Sequence, residues 1–314
     1  MELGHLPVLA EEVITMLAPR PGSLHVDGTV GGGGHTERIL EAASPDGRVL
    51  GLDADPAAIA RTGERLARFG DRLVLRQANF RDLAIVAPAA GFGAVDGILL
   101  DLGLSSFQLA DADRGFSFRA EGRLDMRFDP GAGRPAAALL AELDEAELGD
   151  LFRRYGEEPH ARRIARAVLA TREAAPVATA EAFASLVERV VPRRPGRTGR
   201  IHPATRVFQA LRIAVNGELE ALEAALDAAV TLLRPGGRLV VLAYHSLEDR
   251  LVKRFVAAER RGCTCPPSFP VCVCGRAPRL RPVGHQPAVP SEAEVAANPR
   301  ARSARLRTAE RLAA

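Results

Sequence analysis

Residues 27–38, DGTVGGGGHTER, place four consecutive glycines between an apolar run and the start of a predicted helix. The preceding segment LHVDGT (24–29) is typical of a buried strand, and an amphipathic helix is expected to begin near Thr36. Glycine loses more conformational freedom on folding than other residues, so four in a row suggest a turn that a ligand approaches closely. The stretch therefore predicts a strand, a ligand-binding turn and a helix in succession.

Three further strands are predicted, RVLGLDAD (48–55), RLVLRQANF (72–80) and VDGILLDLG (95–103), and a helix over 56–69 follows the first of them. Strands that alternate with helices form a parallel sheet with helices on both faces. From about 110 to 212 only helical patterns occur, after which a helix, a Pro-Gly-Gly turn and a strand follow. The sequence therefore predicts a doubly wound, Rossmann-like α/β sheet with an inserted all-helical domain.

The predicted domain boundaries follow from this interruption. Residues 1–109 and 213–314 are assigned to a discontinuous α/β domain, and residues 110–212 to the inserted helical domain. The end of the chain, SARLRTAERL (303–312), is predicted to form an edge strand and a helix.

Composition indicates a globular protein, with 47% hydrophobic and 26% charged residues. No apolar run approaches ~18 residues, and the first residues lack the basic and apolar regions of a signal peptide. The sequence thus predicts a cytoplasmic protein that does not associate with membranes.

The net charge of +3 is unevenly distributed. Residues 1–149 carry a net charge of −9, whereas residues 150–212 carry +7 and residues 250–314 carry +9. Basic segments beside an acidic half suggest a polyanionic partner such as RNA. The alternative is a general arginine bias, because Lys253 is the one lysine in the chain.

Three ligands are considered for the glycine turn. A P-loop requires a lysine that is absent here, since the nearest is Lys253. A dinucleotide fingerprint on Gly31 and Gly33 would need glycine or alanine where Thr36 stands. The pattern acid-x-x-x-Gly-x-Gly fits from Asp27 and is the first motif of S-adenosylmethionine-dependent methyltransferases. A tight strand-to-helix turn without a ligand is the alternative.

The next strands supply further residues in register with this motif. Asp53 ends the second strand, where a carboxylate can accept hydrogen bonds from both ribose hydroxyls of a nucleoside. Asp55 is the rival for this role, although Asp55-Pro56 is more typical of a helix cap. Asn79 and Phe80 are expected at the end of the third strand, beside the adenine. Together these features favour a class I methyltransferase sheet.

The chain also resembles the ribosomal RNA small subunit methyltransferase H family, also called MraW, over essentially its whole length, insertion included. The runs HSLEDR and RGFSF are not general methyltransferase features, so the resemblance is specific. The segments that carry it are HLPVLAEEV, DGTVGGGGHT, GILLDLGLSSFQLADADRGFSF, LDMRFDP, HPATRVFQALRIAVNGELEAL, PGGRLVVLAYHSLEDRLVKRF and NPRARSARLRTAER.

This resemblance implies S-adenosylmethionine-dependent N4-methylation of a cytidine in the decoding (P-site) region of 16S ribosomal RNA. The implied partner is small-subunit ribosomal RNA, either free or within the assembled 30S subunit. The family's cofactor positions fall on Gly33, Gly34, His35, Asp53, Phe80, Asp101 and Gln108. Of these, the residues themselves had indicated the glycines and Asp53.

Asp101 is the candidate catalytic residue. Many amino-methyltransferases use an Asp/Asn/Ser-Pro-Pro-aromatic loop to accept hydrogen bonds from the amine. Here the equivalent residues 101–107 read DLGLSSF, which keeps the acid but lacks both prolines and displaces the aromatic residue. Asp101 therefore either binds the cofactor or acts on the amine, and both roles remain open.

His245 is a candidate for facing the target base, and whether it does so remains open. In the same run YHSLED (244–249), Ser246 is predicted to cap the next helix, with Asp249 at the third helical position. His202 and Arg206 either contact phosphates or stabilise the fold.

Arginines in RRYGEEPHARRIAR (153–166) and RRPGRTGR (193–200) are the candidates for RNA phosphate contacts. Within the second run these are Arg193, Arg194, Arg197 and Arg200.

The cysteines form a C-x-C-x6-C-x-C array of Cys263, Cys265, Cys272 and Cys274. Structural zinc sites usually use C-x2–4-C pairs, so the favoured interpretation is a reduced surface loop without metal, and zinc is the alternative.

The rival functions are a methyltransferase acting on another RNA or on protein, and a non-catalytic, cofactor-dependent RNA-binding module. The basic insertion disfavours a protein substrate, and the complete glycine turn with Asp53 and Asp101 disfavours a non-catalytic module.

Overall fold

The computed structural model describes residues 7–118, 122–191, 202–266 and 268–313. The chain divides into two compact units, Met1–Gly103 with Leu219–Ala314, and Leu104–Glu218. The predicted phosphate-binding arginines of 193–200 lie outside the described residues.

The first unit is built on a seven-stranded sheet in the order β3-β2-β1-β4-β5-β7-β6. Strands β1 to β5 are parallel, and β7 runs antiparallel to both of its neighbours. The strands are β1 (Leu24–Asp27), β2 (Arg48–Asp53), β3 (Leu73–Gln77), β4 (Val95–Asp101), β5 (Leu233–Ala243), β6 (Leu280–Pro282) and β7 (Arg305–Arg311).

Thirteen α-helices lie in the described residues, and α5 to α10 belong to the second unit. They are α1 (Ala10–Leu17), α2 (Gly34–Ala42), α3 (Pro56–Arg65), α4 (Leu83–Ala89), α5 (Ser106–Ala110), α6 (Ala136–Glu142), α7 (Glu145–Gly156), α8 (Ala161–Arg172), α9 (Ala180–Val190), α10 (Thr205–Asn216), α11 (Glu218–Leu232), α12 (Ser246–Arg261) and α13 (Glu292–Ala297).

Both faces of the sheet are buried, as a doubly wound fold requires. Along β4, Leu99 packs in one apolar cluster with α1 and α2, whereas Ile98 and Leu100 pack in another with α4, α11 and α12. Successive side chains of a strand point to opposite faces, so the two clusters lie on opposite sides of the sheet. The predicted fold class, a doubly wound, Rossmann-like α/β sheet with an inserted helical domain, is confirmed.

Three element ends differ from the predicted bounds, two of them because polar side chains cap the next element. The second strand ends at Asp53 and the third at Gln77, since Asp55 and Asn79 accept N–H bonds at the start of the following helices. Helix α2 begins at Gly34, two residues before the predicted start at Thr36.

The prediction for residues 303–312 is wrong in two respects. Arg305–Arg311 form the strand β7, no α-helix follows it in the described residues, and β7 lies between β5 and β6 rather than at the edge. The physical reason is that β7 hydrogen-bonds on both sides, and its Leu306, Thr308 and Ala309 side chains are buried.

In the described residues, the second unit is helical apart from an isolated bridge between Arg123 and Thr179. Its apolar core is separate from those of the sheet and includes the stacked rings of Phe152 and Phe183, whose centroids are 6.1 Å apart. Phe183 in turn stacks on Phe208 at 5.5 Å.

The units divide at 103/104 and 218/219, whereas the sequence analysis placed the boundaries at 109/110 and 212/213. Residues after 212 are tied to the helical unit by polar contacts. Asn216 donates to Met126 O at 2.8 Å and accepts from Phe128 N at 2.8 Å, and Arg212 pairs with Glu218 at 2.8 Å. The assignment of one unit to the cofactor and the other to the substrate stays a prediction.

Within the described ranges, no helix combines the length and apolarity needed to cross a membrane.

Candidate active site

Three strands of the α/β unit end in aspartates at the same edge of the sheet. Asp27 ends β1, Asp53 ends β2 and Asp101 ends β4. Because these strands are parallel, their carboxyl ends share one edge, which is where ligands bind in open α/β sheets. The candidate site lies at this edge.

The glycine turn connects β1 to α2. Gly31 and Gly33 have φ angles of 53° and 78°, in the left-handed region that favours glycine. A Cβ on Gly33 would lie 3.0 Å from Thr62 Cγ2, and one on Gly34 would lie 3.3 Å from the Pro7 ring. The backbone and packing of the turn therefore require glycine here, with or without a ligand.

The half-buried Asp53 side chain holds this turn against β2. Its carboxylate accepts the N–H of Gly31 at 2.8 Å and that of Asp55 at 2.9 Å. Burial raises the pKa of Asp53 to about 6, although both N–H bonds oppose the shift. Each carboxylate oxygen can accept a second hydrogen bond, so a ribose can be bound by the same group. Asp55 instead accepts from Ala57 N at 3.0 Å, which confirms its prediction as the cap of α3.

Asp27, the first acid of the motif, is buried beneath the turn. Its carboxylate accepts from Thr36 Oγ1 at 2.6 Å and from Thr29 N at 3.1 Å. Burial raises the pKa of Asp27 despite these hydrogen bonds. Thr29 Oγ1 in turn accepts the N–H of Asp101 at 2.6 Å. Asp27 therefore supports the site from below rather than facing a ligand.

Asp101 lies between an aromatic hydroxyl and an imidazole. Its Oδ1 accepts the Tyr244 hydroxyl at 2.8 Å, and its Oδ2 lies 3.6 Å from His35 Nε2. Burial raises the pKa of Asp101 to about 7, and the Tyr244 hydrogen bond opposes the shift. The charges of Asp27 and Glu248 raise it further.

The pKa values of all three carboxyls are raised, and burial is the largest cause in each case. The charge of Asp27 also raises the pKa values of Asp53 and Asp101, because a neighbouring negative charge disfavours ionisation of a carboxyl. A cationic ligand at this edge would lower all three pKa values and be bound more tightly in return.

Phe80 adjoins the glycine turn. It opens a short 3₁₀ helix, half-buried, with its Cβ 3.3 Å from where a Cβ of Gly28 would lie. Asn79 accepts from Arg81 N at 2.9 Å and so caps this 3₁₀ helix, which starts where the sequence analysis expected a strand end.

Gln108 belongs to the helical unit. Its buried side chain accepts the Ser105 N–H at 3.0 Å, and its own N–H donates to Ser105 Oγ at 3.2 Å. This reciprocal capping box starts α5. The predicted contact of Gln108 with the cofactor stays a prediction.

His202 and Arg206 make contacts typical of folding residues. His202 stacks on Phe118 with centroids 4.3 Å apart and pairs with Glu188 at 2.6 Å. Arg206 reaches Glu157 O at 3.4 Å.

The predicted phosphate-binding segment 153–166 belongs to α7 and α8 and the turn between them, and it lines a groove there. The basic and acidic residues that line this groove are equal in number. Arg153 pairs with Asp150 at 2.6 Å, and Arg166 pairs with Glu145 at 3.2 Å. The charged residues that line it are Arg153, Arg162, Arg163, Arg166, Glu145, Asp150, Glu157 and Glu158. The excess positive charge of residues 150–212 therefore does not lie in this groove.

Comparison with known proteins places the chain in a family. Residues 2–312 match the family described as the MraW methylase family. The chain belongs to this family. Three curated relatives from Thermomicrobium roseum, Heliobacterium modesticaldum and Trichlorobacter lovleyi are each named Ribosomal RNA small subunit methyltransferase H. They are 57%, 50% and 50% identical over 98%, 99% and 99% of this chain, and over 94%, 100% and 99% of their own lengths.

Tyr244 is the residue of this methylase's candidate site that sequence reasoning missed. It follows β5 directly, in the run YHSLED, where the sequence pattern had indicated His245 and Ser246 instead. The available signal was its position: Tyr244 follows the carboxyl end of a strand that pairs with the one ending in Asp101. A phenol there can reach across to the neighbouring carboxylate.

The predicted cap of α12 is wrong by one residue. The cap is His245, not Ser246, and the third helical position is Glu248, not Asp249. Glu248 accepts the N–H of Tyr244 at 2.9 Å. Asp249 instead forms an ion pair with Arg307 at 2.7 Å and does not serve the cap. His245 Nδ1 accepts the backbone N–H of Glu248 at 3.4 Å, so the imidazole itself caps the helix.

Proposed function

We propose that this methyltransferase transfers a methyl group from S-adenosylmethionine to N4 of a cytidine in the decoding (P-site) region of 16S ribosomal RNA. The observation that carries the proposal is the Asp101 carboxyl, a proton acceptor with a pKa of about 7, at the ligand-binding edge of a chain that matches a methylase family over residues 2–312. The names of the relatives support small-subunit ribosomal RNA as the substrate. The sequence resemblance supports the cytidine N4 position.

The residues of the α/β unit fit S-adenosylmethionine. The sulfonium is a cation, and the carboxyls of Asp53 and Asp101 have raised pKa values that a cation would lower. Asp53 retains acceptor capacity for ribose hydroxyls, and Phe80 presents a ring beside the turn for the adenine. The residues proposed to bind the cofactor are Gly33, Gly34, His35, Asp53, Phe80, Asp101 and Gln108.

The bound cofactor supplies an electrophilic methyl group, so catalysis depends on the incoming amine. The exocyclic amine of cytosine is a weak nucleophile, because its lone pair is delocalised into the ring. An acceptor that takes a hydrogen bond from the amine, and then its proton, makes nitrogen attack easier. Asp101 is proposed as this acceptor, since its carboxyl lies at the ligand-binding edge and has a pKa of about 7 when no cation is bound, the state that returns once the methyl group has left the sulfonium. The Tyr244 hydroxyl, donating to Oδ1, orients the carboxylate.

The helical unit is proposed to position the RNA. A base inside a helix cannot present its amine to an enclosed site, so the target nucleotide must leave its stack. The net charge of +7 over residues 150–212 supports attraction to phosphates, which position RNA without reading its bases.

Transfer of labelled methyl groups tests the proposal directly. The purified protein is incubated with labelled S-adenosylmethionine and, separately, with 16S ribosomal RNA, with 30S subunits that lack the modification, and with ribosomal proteins. We expect label in RNA, mapped to N4 of a single P-site cytidine. Label in protein or in another RNA would support the rival methyltransferases, and binding without transfer would support a non-catalytic module.

Asp101→Asn distinguishes the two roles of Asp101. As the proton acceptor, its loss should lower kcat at least tenfold while the Kd for S-adenosylmethionine changes less than about threefold. A parallel fall in affinity and turnover would assign Asp101 to holding the cofactor. Near-normal values of both would remove Asp101 from the site. Asp46→Asn, at an exposed position of the same unit, is the matched control and should change neither value.

A further inference from the structure

The loop that joins α12 to β6 is closed at its base. Gly262, just after α12, has a φ of 69°, and a Cβ there would lie 2.5 Å from the carbonyl carbon of Ala277. Arg279 donates its N–H to Glu259 O at 2.9 Å, and its guanidinium pairs with the Glu259 carboxylate at 2.6 Å. The two ends of the loop are therefore held together, which brings its four cysteines close to one another.

The four sulfur atoms of this loop form a compact cluster. Cys263 Sγ lies 3.4 Å from Cys272 Sγ and 3.8 Å from Cys274 Sγ. Cys272 Sγ lies 3.9 Å from Cys265 Sγ and 3.5 Å from Cys274 Sγ. All four sulfurs lie within 4.8 Å of one another.

These separations match the edges of a thiolate tetrahedron around one ion. Zinc binds cysteine sulfur at about 2.3 Å, and a regular tetrahedron of that radius has edges of about 3.8 Å. A disulfide would instead bring two sulfurs to about 2.05 Å, and all four cysteines are free.

Backbone N–H groups support the same arrangement in a reciprocal way. Thr264, between the first two cysteines, points its N–H at Cys274 Sγ at 3.4 Å. Val273, between the last two, points its N–H at Cys265 Sγ at 3.3 Å. Hydrogen bonds of this kind stabilise thiolates, the form that binds a metal. The N–H group inside each C-x-C pair therefore stabilises a thiolate of the other pair, although this cysteine spacing is unusual for zinc.

In its described residues, the loop has no apolar core to stabilise it. Phe269, Val271 and Val273 are 51%, 69% and 73% exposed. A short segment whose apolar side chains face solvent needs another source of stability, which in small folds is a disulfide or a metal.

We propose that Cys263, Cys265, Cys272 and Cys274 bind one structural Zn²⁺ ion. Four cysteine ligands fill the tetrahedral shell and leave no open position for substrate, so the ion's role is to fold the loop. This proposal replaces the expectation from spacing alone that the loop binds no metal.

Metal analysis of the full chain tests the proposal. The protein is purified under reducing conditions without chelator, and its zinc and iron contents are measured by mass spectrometry. We expect one zinc per chain. In the Cys263→Ser/Cys272→Ser variant, which removes one ligand of each pair, zinc should fall below a tenth of that value. Ser268→Ala, an exposed non-ligand in the same loop, should retain it.

Cobalt replacement covers the case in which the double variant fails to fold. Exchange of Co²⁺ into the unmodified protein should produce thiolate-to-cobalt charge-transfer bands and the visible bands of a tetrahedral site. Four titratable thiols without bound metal after incubation with Zn²⁺, a disulfide between any two cysteines, or iron in place of zinc would each overturn the proposal.

Discussion

Two aspartates at the end of β2 show how position decides the role of a residue. Asp53 and Asp55 are two residues apart, and both accept backbone N–H groups. Asp55 is almost fully buried and satisfied by its helix cap, whereas Asp53 is half-buried beside the glycine turn. Only Asp53 retains access to a ligand at the sheet edge.

We therefore expect Asp53→Ala to weaken S-adenosylmethionine binding about 10- to 100-fold, since each hydrogen bond to a charged group contributes about 1.5–3 kcal/mol. Isothermal titration calorimetry measures this, with circular dichroism to verify folding. Asp55→Ala is the matched control and should chiefly lower the melting temperature through loss of its cap. Unchanged affinity in a folded Asp53→Ala variant would contradict the ribose assignment.

The raised pKa of Asp101 makes cofactor binding depend on pH. In the ligand-free protein this pKa is about 7, so at lower pH the carboxyl is protonated and must lose a proton before it can stabilise a cation. Affinity for S-adenosylmethionine should thus rise as pH increases towards 7, by about threefold in total, and level off above. S-adenosylhomocysteine lacks the sulfonium charge and should show a shallower slope.

Calorimetry with both ligands from about pH 5.5 to pH 8 tests this dependence. Asp101→Asn is the control, because its side chain does not titrate and should flatten the difference between the two ligands. Identical pH slopes for both ligands in the unmodified protein would show that Asp101 does not sense the cofactor charge.

At the scale of elements, the start of α12 positions a site residue. The almost fully buried Glu248 accepts N–H groups of Tyr244 at 2.9 Å and His245 at 3.3 Å. The Tyr244 backbone is thereby held where its hydroxyl reaches Asp101. The helix cap and the candidate site are therefore one hydrogen-bonded assembly.

Glu248→Ala should lower the free energy of unfolding by about 1–3 kcal/mol, because it leaves buried N–H groups without an acceptor. Urea denaturation measures the change. Lys253→Ala, on the exposed side of the same helix, should stay within about 0.5 kcal/mol of the unmodified protein. Methyl transfer should also fall in Glu248→Ala but not in Lys253→Ala. Equal methyl transfer by the two variants would show that the helix cap does not position the site.

At the scale of the whole molecule, the two units have separate apolar cores. Phe152 is fully buried in the helical core and stacks on Phe183. A moderate change there should therefore affect the helical unit more than the sheet.

We expect Phe152→Leu to cost about 1–2 kcal/mol of stability and to reduce methyl transfer to RNA, with the Kd for S-adenosylmethionine within about threefold of normal. Transfer assays and calorimetry on the same preparation decide the outcome. An equal loss of cofactor affinity would contradict the assignment of the helical unit to the substrate.

Local patterns in the sequence were sufficient for the strands, the glycine turn and the cap at Asp55, because each depends on residues close together in the chain. The family resemblance added Asp101 and Gln108, which no local pattern had indicated. Strand ends and the cap of α12 were missed by one or more residues, since long-range pairing between Asp249 and Arg307 decides which acid serves the cap.

The sequence by itself determined the fold class and the family, because alternating strands and helices, four glycines and family-specific runs are all written along the chain. Only the tertiary structure decided that Tyr244 bonds Asp101, that Asp27 lies beneath the turn, and that four cysteines in an unusual spacing meet at one point. The strand-end residues are far apart in sequence, so their contacts arise only when the strands pair. The cysteines meet only when the two ends of their loop are held together. Carboxyl pKa values near 6 and 7 have the same origin, since burial and neighbouring charges exist only in the folded protein.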